Sequence, residues 1–184
     1  MEQTGALLAA LAGATEGPAR VKRAFVFTDI VKSTDVVSAI GDEAWEDLLT
    51  WHDQTLRSLF AAHGGEVAHH TGDGFFVAFG EAKAAVGCAV AIQQALAEHR
   101  RQHGFAPMVR IGVHCADATR RGQDYSGREV HKAARIAALA VGGQILVSQE
   151  IVDAVGVAFG ASGLEEVAVK GITEPVKVAS IAWR

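Results

Sequence analysis

The sequence predicts an α/β (α+β) domain in which strands and helices alternate and hairpins interrupt the alternation. Three observations predict it: short apolar runs of strand length, longer stretches with one apolar helix face, and paired runs joined by glycine-containing turns. At 184 residues, 49% hydrophobic and 21% charged, the chain can bury one proper core and is too short to argue for two. One compact soluble domain is the expectation.

The elements follow in order. Ala24 to Thr28 is an apolar run fit for a buried strand. Asp42 to His63 is apolar at Trp45, Leu48, Leu49, His52, Leu56, Leu59 and Phe60, the spacing of one helix face, and Gly64-Gly65 stops it. Glu66 to His70 and Phe75 to Phe79 flank Thr71-Gly72-Asp73-Gly74, a hairpin whose glycines permit positive φ. A second helical pattern runs from about Glu81 to His99, followed by a strand from Val109 to Val113, a polar stretch, a helix near Gly127 to Leu139 and a strand from Gln144 to Ser148. Val167 to Lys170 and Val176 to Ala182 read as a closing hairpin that turns at Gly171 and Pro175. Residues 1–21 read as a tail with a short helix, because Gly13 to Arg20 carries the glycine and proline of a linker; the folded domain is expected over 22–184.

Composition excludes several classes. A net charge of -4 gives no electrostatic case for a nucleic-acid partner, which would need clustered Lys and Arg. Cys88 and Cys115 are too few for a disulfide framework and fit a reducing compartment, so the cytoplasm is expected. The apolar run from Ala6 to Ala12 is far below the roughly 20 residues a bilayer demands, and no Lys or Arg near Glu2 supplies a secretory n-region. No membrane span is expected.

The chemistry concentrates in two short motifs. Phe27-Thr28-Asp29-Ile30-Val31-Lys32-Ser33-Thr34 and Thr71-Gly72-Asp73-Gly74 each end an apolar run in a turn and carry one acid. Alone, the first is commonly a helix cap and the second a plain hairpin turn. Their order changes the reading. In a right-handed β-α-β unit the first two strands are parallel, and a third strand returning by a hairpin can lie antiparallel between them. Asp73 then sits beside Asp29, and two carboxylates at strand ends suit a divalent cation. Ser33 and Thr34 can cap the following helix, leaving backbone N–H groups from Ile30 to Thr34 free to face a polyphosphate. A metal-dependent nucleotide site follows.

These residues resemble a family. Phe-Thr-Asp-Ile-x-x-Ser-Thr, His63-Gly-Gly, Thr-Gly-Asp-Gly-Phe75, Val109-Arg110-Ile111-Gly112-Val113-His114, Val130-His131-x-Ala-Ala-Arg135, and Val169-Lys170-Gly171 with Glu174-Pro175 are similar to the class III nucleotide cyclase catalytic domain over about residues 22–183. The resemblance implies a ferredoxin-like sandwich with a mixed, mostly antiparallel sheet and helices packed on it. It implies a head-to-tail homodimer with each active site shared across the interface. It implies an adenylate cyclase that converts ATP to 3′,5′-cyclic AMP and pyrophosphate with two Mg²⁺ or Mn²⁺ ions. It carries the metal set to Asp29, Ile30 and Asp73, the transition-state arginine to Arg135, the ribose-orienting position to His131 and the base-reading pair to His69 and Asp124. Phosphate contacts fall to Ser33, Thr34 and Lys170.

Two positions depart from the family pattern: His69 stands where lysine is usual and His131 where asparagine is usual. A neutral imidazole at position 69 can still donate one N–H to adenine N1, and Asp124 can accept from the adenine amino group. His131 and Arg135 are four apart on one helix and share a face. Lys170 admits a second reading as a surface lysine beside the Gly171 turn. Adjacent strand side chains point to opposite faces, so His69 and His70 do not chelate one zinc ion. Cys115 beside His114 lacks an oxyanion donor and reads as a small buried residue. Trp45 belongs to the apolar stripe, whereas Trp51 lies off it and is a candidate interface residue. A non-catalytic cyclase-like module that binds nucleotide or dimerises, and a guanylate cyclase, are the alternative functions.

Overall fold

The computed structural model describes residues 18–184. The short helix expected in the tail lies outside them. The sheet is built around β1 (Ala19–Ile30), which pairs antiparallel with β3 (Gly74–Phe79) on one side and β4 (Val109–Arg121) on the other. Adding β2 (Gly65–His70), β5 (Asp124–Ser126), β6 (Ile145–Ser148), β7 (Glu165–Val167) and β8 (Val176–Ser180) gives the order β2-β3-β1-β4-β6-β8-β7, with β5 paired to β4. All pairings are antiparallel except β4 with β6. The expected mixed, mostly antiparallel sheet is present, and β3 does lie between the parallel pair β1 and β2.

Both faces of the sheet are covered, so central strands read as unbroken apolar runs rather than alternating ones. Every residue of β3, Gly-Phe-Phe-Val-Ala-Phe, is buried. On one face Ala24, Val26, Val77 and Ile111 pack with Leu56 and Phe60 of α2 (Asp42–Ala62), Ile92 and Leu96 of α3 (Ala82–His103), and Ile151 of α5 (Gln149–Val155). On the other face Phe25, Phe76 and Ala78 meet Val130 and Ala133 of α4 (Arg128–Leu139).

Several elements differ from the sequence reading, each for a physical reason. β1 begins at Ala19 rather than Ala24, because its exposed first residues pair with Ala116–Arg120 of β4; the ladder, not burial, extends the strand. The polar stretch after Val113 is the rest of β4 plus β5, joined by a turn at Gly122. The closing hairpin pairs Glu165–Val167 with β8, so Val169–Lys170 belong to the connection instead. An additional helix, α1 (Ser33–Ile40), buries no residue. Its N-cap is Lys32 in the left-handed region, and no side chain caps it, so Ser33 and Thr34 sit inside its first turn rather than capping.

Candidate active site

The end of β1 and the β2–β3 turn bring Asp29 and Asp73 together as expected. Asp29 pairs across the ladder with Gly74, and the Ile30 N–H donates to the Asp73 carbonyl at 3.2 Å. Thr28 Oγ1 accepts from the Phe75 N–H at 3.2 Å, fastening the same rung. Gly72 supplies the positive φ of 72° that this tight turn requires. The N–H groups of Ile30 and Val31, expected to be free, are taken by the carbonyls of Asp73 and Met108. The donors left for an anion are those of the first turn of α1, where Ser33, Thr34 and Ser38 line a cavity of about 380 Å³ with Gly72, Asp73 and Trp45.

Arg110 is a site residue that the family motif contains and the sequence reading did not single out. Its Nε donates to Asp29 Oδ2 at 2.8 Å and its Nη1 to the Ala138 carbonyl at 3.2 Å, tying β1 to the end of α4. The ladder of β1 with β4 places Arg110 directly opposite Asp29, a pairing that depends on strand register. Asp29, Asp73 and the Ile30 main chain are the groups here that could hold a metal. An all-oxygen set of this kind, completed by phosphate oxygens, fits Mg²⁺ or Mn²⁺. Among the described residues no three His, Cys, Asp or Glu side chains gather into a metal-holding group.

His69 and Asp124 meet at the far end of β2. The carboxylate Oδ1 of Asp124 accepts from His69 Nε2 at 3.1 Å and from the Tyr125 N–H at 2.7 Å. A β-bulge between Val67 and His69 makes this contact possible. Val67 pairs with Val77 on the α2/α3 face, but after the bulge His69 pairs with Phe76 and joins the α4 face, while His70 pairs with Phe75. The two histidines therefore point to opposite faces. His70 Nε2 instead meets Asp53 of α2 at 3.0 Å.

His131 and Arg135 line one cavity of about 600 Å³ beneath α4, with Gly171 and Lys177 opposite. The Gly171 backbone approaches so closely that a Cβ there would lie 2.8 Å from an Arg135 guanidinium nitrogen. Lys170 is exposed on the preceding connection and is not part of that lining. The cavity at Asp73 and the cavity at Arg135 share no lining residue.

A buried polar network supports α4. His114, with no exposed surface, is bonded by Nδ1 to Ser148 Oγ at 2.8 Å and by Nε2 to Glu129 at 3.0 Å. Lys132 Nζ reaches Glu150 at 2.9 Å. Burial lowers the His114 pKa, opposed by its bond to Glu129. Burial raises that of Glu150, but bonds from Lys132, its own backbone N–H and Ser148 outweigh this and bring it to about 2. His114 is thus neutral and Glu150 ionised at neutral pH.

Comparison with known proteins places this geometry. Residues 20–181 match the family described as adenylate and guanylate cyclase catalytic domain. A candidate adenylate cyclase of Rhizobium meliloti (strain 1021), adenylate cyclase 3, is 39% identical over 131 residues, which covers 68% of this chain and 22% of that protein. This chain therefore spans about a fifth of that relative's length. The crystal structure of the adenylyl cyclase CyaB from P. aeruginosa superimposes with a TM-score of 0.82 at 26% identity, covering 90% of this chain and 95% of that one. The guanylyl cyclase Cya2 gives 0.83 at 25% identity, covering 90% and 94%. A match over nearly the whole described sheet, with both aspartate motifs inside it, makes this chain a member of the class III adenylate and guanylate cyclase catalytic-domain family.

Proposed function

We propose that this domain is an adenylate cyclase, converting ATP to 3′,5′-cyclic AMP and pyrophosphate in a site shared by two copies. Domains of this family bind a nucleotide, generally use a divalent metal and work as dimers. The observation that carries the reading is the rung joining Asp29 to the Asp73 turn, with Arg110 on the same carboxylate. The separate cavities at Asp73 and Arg135 support a head-to-tail pair in which each copy supplies one half.

The residues divide the work by their chemistry. Asp29, Asp73 and the Ile30 carbonyl would hold Mg²⁺ or Mn²⁺, whose contribution when bound is to acidify the ribose 3′-hydroxyl and offset triphosphate charge. The hydroxyl oxygen bonds to the α-phosphorus as the bond to pyrophosphate breaks, and its proton leaves to solvent. Negative charge grows on the α-phosphoryl oxygens, where the Arg135 guanidinium is worth most. His131, on the same face of α4, orients the ribose. Ser33, Thr34 and the first turn of α1 receive phosphate oxygens, and Lys170 reaches them from the partner half. Asp124 accepts from the adenine amino group through its second carboxylate oxygen.

We place the start of the domain at Ala19, where β1 begins, three residues before the expected boundary at 22, with an N-terminal tail ahead of it. Among the described residues no helix is long and apolar enough to cross a membrane. We place the domain in the cytoplasm, where ATP is available, with no nucleic-acid partner. The testing experiment is cyclic AMP formation from ATP and Mn²⁺ by the purified chain, beside an Asp73→Ala control and a parallel GTP reaction. Cyclic AMP that vanishes in the control supports the reading. No product from a folded dimer makes the chain a non-catalytic nucleotide-binding module, and product from GTP alone makes it a guanylate cyclase.

A further inference from the structure

The turn that carries Asp73 is gripped unevenly. Its β3 side is fastened to β1, where the Ile30 N–H donates to the Asp73 carbonyl and Thr28 Oγ1 accepts from the Phe75 N–H. Its other side leaves β2, an edge strand that among the described residues has a ladder on one flank only and is interrupted by a bulge. The sheet leaves that side loose. A side chain fastens it instead: His70, the last residue of β2, donates from Nε2 to Asp53 Oδ2 of α2 at 3.0 Å. The His70 ring also stacks on its ladder partner Phe75, with 4.3 Å between centroids, and Arg57 of α2 lies over that same Phe75 ring at 5.0 Å.

Asp53 is itself held. Its other oxygen, Oδ1, lies 3.2 Å from Nδ1 of the buried His52, and since a carboxylate only accepts, a neutral His52 carries its proton on Nδ1. The Nε2 atom is then a bare acceptor, buried and without a partner among the described residues. Such an orphan works against folding, and an apolar side chain of the same shape would remove the cost. Aiming Asp53 is what the histidine adds in return. Along the same stripe of α2, Trp45, Leu49 and Asp53 follow at intervals of four; the first two line the cavity at Asp73, and the third reaches His70. Asp53 is not part of that lining, so it acts through His70.

We propose that Asp53 and His70 are positioning residues for the metal-binding turn: Asp53, aimed by His52, holds His70, and His70 holds Thr71–Gly74 so that the Asp73 carboxylate stays where a divalent cation needs it. The inference rests on the reading of Asp73 as a metal-holding residue. Neither Asp53 nor His70 touches the cation or the nucleotide in this account.

The test is the Mn²⁺ concentration that half-saturates binding of a fluorescent ATP analogue lacking the 3′-hydroxyl, which cannot cyclise, read beside deuterium exchange at the Thr71 and Asp73 N–H groups, both bonded within the turn. The His70 side chain is 28% exposed, so leucine there leaves the core intact. His70→Leu, which removes the donor, is expected to raise the half-saturating Mn²⁺ about 10–100-fold, the scale for groups that orient metal ligands, and to speed exchange at the turn. His70→Gln, whose amide N–H can reach the same carboxylate oxygen, is expected to keep both near their wild-type values. Adding Asp53→Ala to His70→Leu is expected to cost no further Mn²⁺ affinity, because the two residues form one link. Equal loss in His70→Gln and His70→Leu, additive losses in the double variant, or a lower Tm with unchanged Mn²⁺ dependence would each overturn the inference and leave the cyclase reading standing. No Mn²⁺-dependent binding by the wild-type chain would overturn the metal-site reading instead. Exchange then decides whether the pair holds the turn: fast exchange in His70→Leu alone supports it, and equal exchange in all three single chains overturns it.

Discussion

Asp73 gives the turn two separate things, and they come apart under mutation. Its carbonyl accepts from the Ile30 N–H and helps hold the hairpin to β1, whereas its carboxylate makes no bond that the fold needs. Asp73→Ala is therefore expected to lower turnover by more than about a hundredfold, the scale for losing a charge-stabilising group, while Tm moves by only a few degrees. Parallel turnover and thermal melts check this; an unfolded variant would sink it. Gly171 is the complementary case. It holds φ 78° against the Arg135 guanidinium, so Gly171→Ala adds about 1–2 kcal/mol of backbone strain and pushes the guanidinium aside. If Arg135 acts, as proposed, on charge that develops in the transition state, kcat is expected to fall with KM little changed. A rise in KM alone would contradict that role. Asp29, Asp73 and Arg135 were legible as candidates because each stands in a motif of fixed spacing, and Asp124 was named through the family resemblance alone. The His69 to Asp124 bond was not, because it depends on a bulge at Ala68 that sends His69 to the face its alternation denies it.

Among the elements, α4 is one whose packing is linked to protonation. It carries His131 and Arg135 and rests through Glu129 on the buried, neutral His114. With its folded pKa below the ordinary 6.5, His114 binds its proton more readily in the unfolded chain. Stability is full above 6.5 and is lost as pH falls from there toward the folded value. His52, also lowered by burial and with an unpartnered Nε2, adds a loss of the same sign. The expected result is a Tm that declines from pH 7 to 5, with a shallower decline in His114→Asn; an unchanged slope in that variant would remove His114 from the account. The long amphipathic helices were readable from their apolar stripes. α1, β5 and α5 were not: α1 buries nothing, and β5 and α5 are 3 and 7 residues long, too short for a period to show.

At the scale of the whole molecule, the proposed sharing of the site between two copies makes a strong demand. If Asp29 and Asp73 of one copy work with Arg135 of the other, co-expressed Asp73→Ala and Arg135→Ala chains should recover activity that neither has alone. Random pairing makes half of the dimers mixed, each with one intact site of two, so about a quarter of wild-type activity is expected. No recovery from a verified mixed dimer would mean that each copy is catalytically self-sufficient. The sheet order itself was legible as far as the first three strands, because hairpin and crossover rules leave few arrangements. Its outer part was not, since Val169–Lys170 look like a strand and act as a connection.

β1 also has a mechanical meaning. Ala19 and Asp29 lie at opposite ends of one strand, ten residues or about 33 Å apart. From Ala24 to Asp29 the strand is bonded on both flanks, to β3 and to β4, and from Ala19 to Arg23 to β4 alone, so those bonds share a load along the axis and yield as a set. β1 is a tie-rod. Tension at Ala19 reaches the Asp29 end with little loss, until the strand slips by a step that would turn every side chain to the wrong face. Stretching single molecules from Ala19 should accordingly show an abrupt, all-or-none yield, and gradual extension at low force would refute it.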